Sequence, residues 1–139
     1  MWGMVMGDVR VLDDFAGTWQ VRRRITPHTG TPAQFAGQAV WSRAEGGLRY
    51  VETGLMTLAS HPPMQAEQRY FWADDLAVFF DDGRFFHHVP ATGGQVAHWC
   101  APDTYTGTYD FAGWPRFQIT WDVTGPRKNY RSVTEYARC

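Results

Sequence analysis

Cysteine is scarce: the 139 residues hold two, Cys100 and Cys139. Such a pair is not the disulfide framework that staples small secreted domains, so a reducing, cytoplasmic location is expected. Charge of one sign is lacking as well. Lys and Arg number 13 against 14 Asp and Glu, and the formal net charge of -1 offers no chain-wide field for nucleic acid or anionic lipid. The run Arg22-Arg23-Arg24 is the local exception, but on a strand its members alternate faces, so it reads as a solvated edge. No apolar run approaches the roughly 20 residues of a membrane-spanning helix, and Met1 to Val11 has no basic segment leading into a sustained apolar stretch. Neither a membrane partner nor export is expected. Repeats, low-complexity tracts and Pro/Gly/Ser linkers are also absent, which leaves one domain over residues 1–139, long enough to bury roughly 68% of its unfolded surface.

Aromatic residues, by contrast, make up 16% of the chain, with 7 Trp, 6 Tyr and 9 Phe. They fall in short segments of alternating polarity separated by turn residues, near residues 18–26, 34–43, 48–58, 64–73, 76–81, 84–89, 95–101, 104–111, 116–123 and 129–137. The expected fold is all-β, a single antiparallel up-and-down β-barrel of about ten strands. A short helical turn over Asp8 to Ala16 precedes it, with Val9, Leu12 and Phe15 at spacings of three plugging one barrel end.

Turn chemistry assigns the faces, because a tight loop fixes which residues pair. A two-residue turn at Asp82-Gly83 places Phe80 opposite Phe85, Val78 opposite His87 and Leu76 opposite Val89; His87 then points inward, with Asp81, Arg84 and His88 outward. Glu45-Gly46-Gly47 pairs Trp41 with Tyr50, Ala39 with Glu52 and Gly37 with Gly54, which turns Glu52 inward. A turn at Pro102-Asp103 pairs Cys100 with Tyr105, His98 with Gly107 and Val96 with Tyr109, and the Pro90–Gln95 loop sets His98 beside His87.

The expected interior therefore gathers candidate ligand-binding residues Trp41, Tyr50, Glu52, Tyr70, Trp72, His87, His98, Cys100, Tyr105, Tyr109 and Trp121. A buried carboxylate costs several kcal/mol unless it is protonated, bonded or wet, so Glu52 needs a ligand, water or a partner such as Tyr70 or Arg69. Gly37, Ala39, Gly54 and Gly107 leave room beside these groups. Glu52 paired with His87 or His98 is the candidate acid/base set, since a low-dielectric interior shifts both kinds of pKa. His87, His98 and Cys100 are the candidate metal ligands, adjacent strands lying about 4.8 Å apart. Cys100 as a nucleophile would need a histidine base and an oxyanion hole; with no elbow motif it packs as a small hydrophobe. Gly17 and Trp19 open the first strand as structural residues, with Arg127 or Arg131 stacking on the Trp19 indole at the closed end.

Gly17-x-Trp19 on the first strand, the meander of about ten strands and a late arginine resemble the calycin superfamily of lipocalins and fatty-acid-binding proteins. Longer segments are similar to an uncharacterised bacterial family of small calycin-like domains: Gly47-Leu48-Arg49-Tyr50, Arg69-Tyr70-Phe71-Trp72, Asp82-Gly83-Arg84 with Phe86-His87, His98-Trp99-Cys100 with Asp103 and Tyr105, and Gly125-Pro126-Arg127-Lys128-Asn129-Tyr130. The resemblance implies the barrel and no particular activity. The chain departs from secreted lipocalins in lacking paired cysteines, from fatty-acid-binding proteins in lacking a helix-turn-helix lid, and from haem-binding nitrobindin-like barrels in lacking a glycine-rich opening strand.

The function expected from these residues is an intracellular barrel that holds a hydrophobic or aromatic small molecule, with Glu52, His87 and His98 anchoring its polar end. One alternative is an enzyme of isomerase or hydrolase type using the same pocket; another is a structural or interaction barrel packed solid by its side chains. No cofactor is required, haem or a metal at the histidines being the alternative, no nucleic acid partner is expected, and a homodimer is left open.

Overall fold

Ten strands follow one 3-10 turn in the computed structural model, which describes residues 9–139. Asp8 of the expected helical turn and most of the Met1 to Val11 segment lie outside the described residues. The strands are β1 (Gly17–Pro27), β2 (Ala33–Ala44), β3 (Gly47–Leu58), β4 (Met64–Ala73), β5 (Ala77–Phe80), β6 (Phe85–His88), β7 (Gly94–Cys100), β8 (Asp103–Asp110), β9 (Phe117–Thr124) and β10 (Asn129–Arg138). Each pairs antiparallel with the next, except that β6 and β7 share no ladder, and β10 returns to pair with β1. The result is an all-β, up-and-down, calycin-like barrel, zipped where β1 meets β10 and open along the seam between β6 and β7. No helix among the described residues is long and apolar enough to cross a membrane.

The turn before β1 is a single 3-10 turn, Leu12–Phe15, held at its start by the Val11 amide donating to Asp14 Oδ2 at 2.8 Å. Leu12 and Phe15 are buried as expected, whereas Val9 is 46% exposed. The turn begins only after Val9, so a spacing of three no longer aligns that residue with the plug. Phe15 enters a ring of Trp41, Trp72, Phe111, Trp114 and Phe117 with centroids 5.0 to 6.0 Å away. Interlocking rings at these separations fill this end of the barrel, with the Trp41 indole N–H buried among them without a partner.

The β2–β3 hairpin has the expected register, Trp41 with Tyr50, Ala39 with Glu52 and Gly37 with Gly54. The β5–β6 hairpin does not. Its loop spans Asp81, Asp82 and Gly83, with Phe80 and Arg84 joined by a backbone bond and Gly83 at φ +91°. Three loop residues with a left-handed glycine shift the pairing by one, which sets Phe79 against Phe85 and turns Phe85 outward, 46% exposed. A bulge between Val78 and Phe79 then restores Val78 opposite His87, so Phe86 and His87 are both buried. At the β7–β8 loop, Asp103 pairs with Cys100, placing His98 opposite Tyr105 and Val96 opposite Gly107. The loop is thus Ala101-Pro102, one residue earlier than expected; a register shift of two leaves every side chain on its expected face.

The cation on Trp19 is also a different one. Arg127 is exposed, Arg131 pairs on the outer surface with Asp122 at 2.8 Å, and Arg138 lies 4.1 Å from the Trp19 ring centroid. The β1–β10 register sets Trp19 directly against Arg138, so the last residue of β10 reaches the plug. Arg138 donates to the Asp14 and Ala16 carbonyls at 2.5 and 2.6 Å, and the Trp19 indole donates to Phe15 at 2.8 Å. Gly17, at φ +118°, leaves space for this guanidinium, 2.9 Å from where a Cβ would lie. Arg138→Ala should cost about 1–2 kcal/mol in urea unfolding through the lost stacking and carbonyl bonds. Arg131→Ala should leave the midpoint nearly unchanged; an equal loss there would sink the assignment of the closing role to Arg138.

Candidate functional site

Above the aromatic plug the barrel is hollow. Alternation on β1 sends Trp19, Val21, Arg23 and Ile25 inward, the first two into the packed half and the last two onto a cavity of about 210 Å³. Its walls combine the rings of Trp72, Phe86 and Trp121 with all six tyrosines of the chain: Tyr50, Tyr70, Tyr105, Tyr109, Tyr130 and Tyr136. Trp121 lies across β8 over Gly107, where a Cβ would come within 2.6 Å of the indole, and stacks on Phe86 at 4.9 Å and 23°.

The floor is a buried ion pair. Arg23 donates through both Nη atoms to Glu52 at 2.7 and 2.8 Å, and through Nε to Thr134 Oγ1 at 2.7 Å. Glu52, 1% exposed, also accepts from the Tyr50 hydroxyl at 2.5 Å, and Tyr136 meets Tyr50 oxygen to oxygen at 2.8 Å. Burial alone would lower the Arg23 pKa, but the bonds and charge of Glu52 outweigh it and hold the guanidinium above its usual range. Burial raises the Tyr50, Tyr109 and Tyr136 phenols, and pushes Tyr70 up to about 12, so these are neutral hydroxyls at physiological pH.

On the opposite wall His87 Nε2 meets the Tyr109 hydroxyl at 2.7 Å, while Nδ1 is buried without a partner. Burial, reinforced by the neighbouring His98 and His88, lowers the His87 pKa from 6.5 to about 3. A neutral imidazole bonded to a neutral phenol is the resulting state.

A family profile matches residues 15–138, that of the family of unknown function DUF6314. The chain belongs to this family. Among solved structures, the S-type phycobiliprotein lyase CPES from Guillardia theta aligns with a TM-score of 0.64 at 6% identity, covering 92% of this chain and 90% of the lyase. At that identity the likeness is one of fold alone. No curated protein matches the sequence.

Of the residues expected to face a ligand in this DUF6314 barrel, Tyr50, Tyr70, Trp72, His87, Tyr105, Tyr109 and Trp121 line the cavity. Trp41 does not: it packs into the plug against Phe15 and Trp19, because its position on β2 falls at the closed end. Glu52 lies behind the wall, engaged by Arg23 and Tyr50 rather than by Tyr70 or Arg69, and Arg69 is held outside by Glu67 at 2.6 Å. Glu52 and His87 therefore bond to different partners, and the expected acid/base pair is not assembled. His98 and Cys100 stand half-buried at the open seam, outside the cavity lining, and no cluster of three His, Cys, Asp or Glu side chains able to hold a metal occurs among the described residues.

The residue missed is Arg23. Its signal was the inward parity of Trp19 and Val21, which extends to position 23 and breaks the solvated reading of the arginine run. Tyr130, Ser132, Thr134 and Tyr136 followed the same parity on β10.

Glu52→Gln should strand a buried guanidinium and destabilise the fold by about 3 kcal/mol, measured by chemical denaturation, whereas Arg23→Met combined with Glu52→Leu should recover most of the loss. The depressed His87 pKa sets a pH dependence of opposite origin. Between 6.5 and about 3 the unfolded chain binds a proton at His87 that the folded one refuses. Its contribution is complete above 6.5 and should fall by up to about 1.4 kcal/mol per pH unit as pH drops through that window. Urea midpoints at pH 7, 5 and 4, compared with those of His87→Phe, isolate this slope; parallel curves would show that His87 is not held neutral.

Proposed function

We propose that this barrel binds a small aromatic or apolar molecule in the cavity between Arg23 and Trp121, with Tyr70, Tyr130 and His87 orienting its polar end. The observation that carries this reading is the placement of every tyrosine around one hollow. A barrel packed only for stability fills its interior with apolar side chains, because each buried hydroxyl needs a partner. The packed half of this barrel follows that economy, and the hollow half does not.

Size limits the ligand. The cavity, at about 210 Å³, is smaller than the roughly 300–1,000 Å³ of drug-sized sites and larger than the ~150 Å³ space that admits benzene. One or two rings fit this space; a haem, with four pyrrole rings, exceeds it, which favours the smaller ligand. Binding is favoured over acid/base turnover because Glu52 is committed to Arg23 and Tyr50.

Native mass spectrometry of the freshly purified protein, before and after incubation with a mixed panel of one- and two-ring aromatic compounds, is the direct test. One extra mass per chain is expected, and Ser132→Phe, which places a ring in the cavity, should abolish it while leaving the far-ultraviolet circular dichroism unchanged. Absence of any adduct in both samples would overturn the reading.

A further inference from the structure

We infer that the ligand is an uncharged aromatic molecule bearing a carbonyl-type hydrogen-bond acceptor. This rests on the reading that the cavity binds a small molecule, and it follows from which polar groups on the wall are already committed.

Arg23 is the only charged side chain among the lining residues, and its charge is cancelled by Glu52 directly behind it. A ligand anion would have to share one guanidinium with that carboxylate in a desolvated site. A ligand cation would meet Arg23 and no free carboxylate. Either leaves an uncompensated buried charge, the most costly state a cavity can hold. A neutral ligand avoids both.

Donors are in surplus on the same wall. The hydroxyls of Tyr50, Tyr136 and Tyr109 are bonded to Glu52, Tyr50 and His87 respectively, while Tyr105 accepts from Lys128 and keeps its own O–H free to donate. Tyr70 and Tyr130 also line the cavity, and neither has a side-chain partner among the described residues. Burial raises the pKa of both, so both retain their protons. Arg23 uses three of its five N–H groups on Thr134 and Glu52, leaving two. The strong acceptor nearby, Glu52, takes three bonds and is shielded from the cavity. Ser132 and the Gln68 amide, also on this wall, both donate and accept, whereas Arg23 only donates, so the balance of free groups favours an acceptor. Phe86, stacked between Trp121 and Phe80, and Trp121, lying over Gly107, give the same wall an apolar aromatic surface.

Four probes of similar size separate these requirements: coumarin (neutral, with a carbonyl), naphthalene (neutral, without one), 2-naphthoate (anion) and 1-methylquinolinium (cation). Titration of each into the full-length protein, followed by ¹H–¹⁵N NMR at the Trp121 indole, gives the affinities. Coumarin is expected to bind about fivefold more tightly than naphthalene and about tenfold more tightly than either ion. Tyr70→Phe and Tyr130→Phe, which preserve shape, should together weaken coumarin at least about fivefold and leave naphthalene unchanged. Naphthalene matching coumarin, either ion exceeding it, or coumarin indifferent to both tyrosine variants would overturn the assigned ligand class while binding itself stood. No response to any of the four would overturn the binding reading as well.

Discussion

The bidentate bond between Arg23 and Glu52 ties β1 to β3 across the barrel interior, and Thr134 on β10 and the Tyr50–Tyr136 pair extend it around the wall. Burying either charge alone would cost several kcal/mol, so neither can leave without the other. The pair occupies the level where the barrel changes character. Below it, rings interlock around Phe15; above it, the wall opens into the tyrosine-lined cavity. An apolar residue at this level would let the plug continue upward. The ion pair and its hydroxyl partners instead form a mutually bonded partition on which the cavity stands.

Closure of the barrel has two different solutions at its two joints. Strands β1 and β10 zip together, and Arg138 fastens the joint to Trp19 and to the Asp14 and Ala16 carbonyls at the 3-10 turn. The joint between β6 and β7 has no ladder. Side chains cover it instead: His98 packs against Phe86 at 5.4 Å and Phe80 at 6.1 Å, and Arg84 reaches Cys100 Sγ at 4.0 Å. Side-chain contacts are softer than a row of backbone hydrogen bonds, so the barrel is stiffer at the β1–β10 joint than at the β6–β7 seam. The bulge that buries both Phe86 and His87 lies at this softer edge, and it brings His87 to Tyr109 across the seam.

The likeness to a phycobiliprotein lyase at 6% identity shows how little of a barrel's sequence its fold requires. Alternation and turn spacing suffice, and interior composition is free to vary. In this chain the interior is a neutral, donor-rich space bounded by aromatic faces. That composition carries the functional reading, because fold likeness at this distance transfers no chemistry.

Strand count, antiparallel order and the inward direction of Glu52, His87 and Tyr109 were determined by the sequence alone, since a period of two and short turns leave few alternatives. The β2–β3 register was equally legible from its glycine turn. Three things were decided only by the tertiary structure. A three-residue loop and a compensating bulge moved Phe85 outward and Phe86 inward, a local choice that periodicity cannot encode. Packing depth separated Trp41, which enters the plug against Phe15 and Trp19, from its ladder partner Tyr50, which lines the cavity. Partner choice between distant strands gave Glu52 to Arg23 and Trp19 to Arg138, because strand closure brings together residues that no sequence spacing relates. Parity along one strand told which way a side chain points; only the closed sheet determined what it meets there.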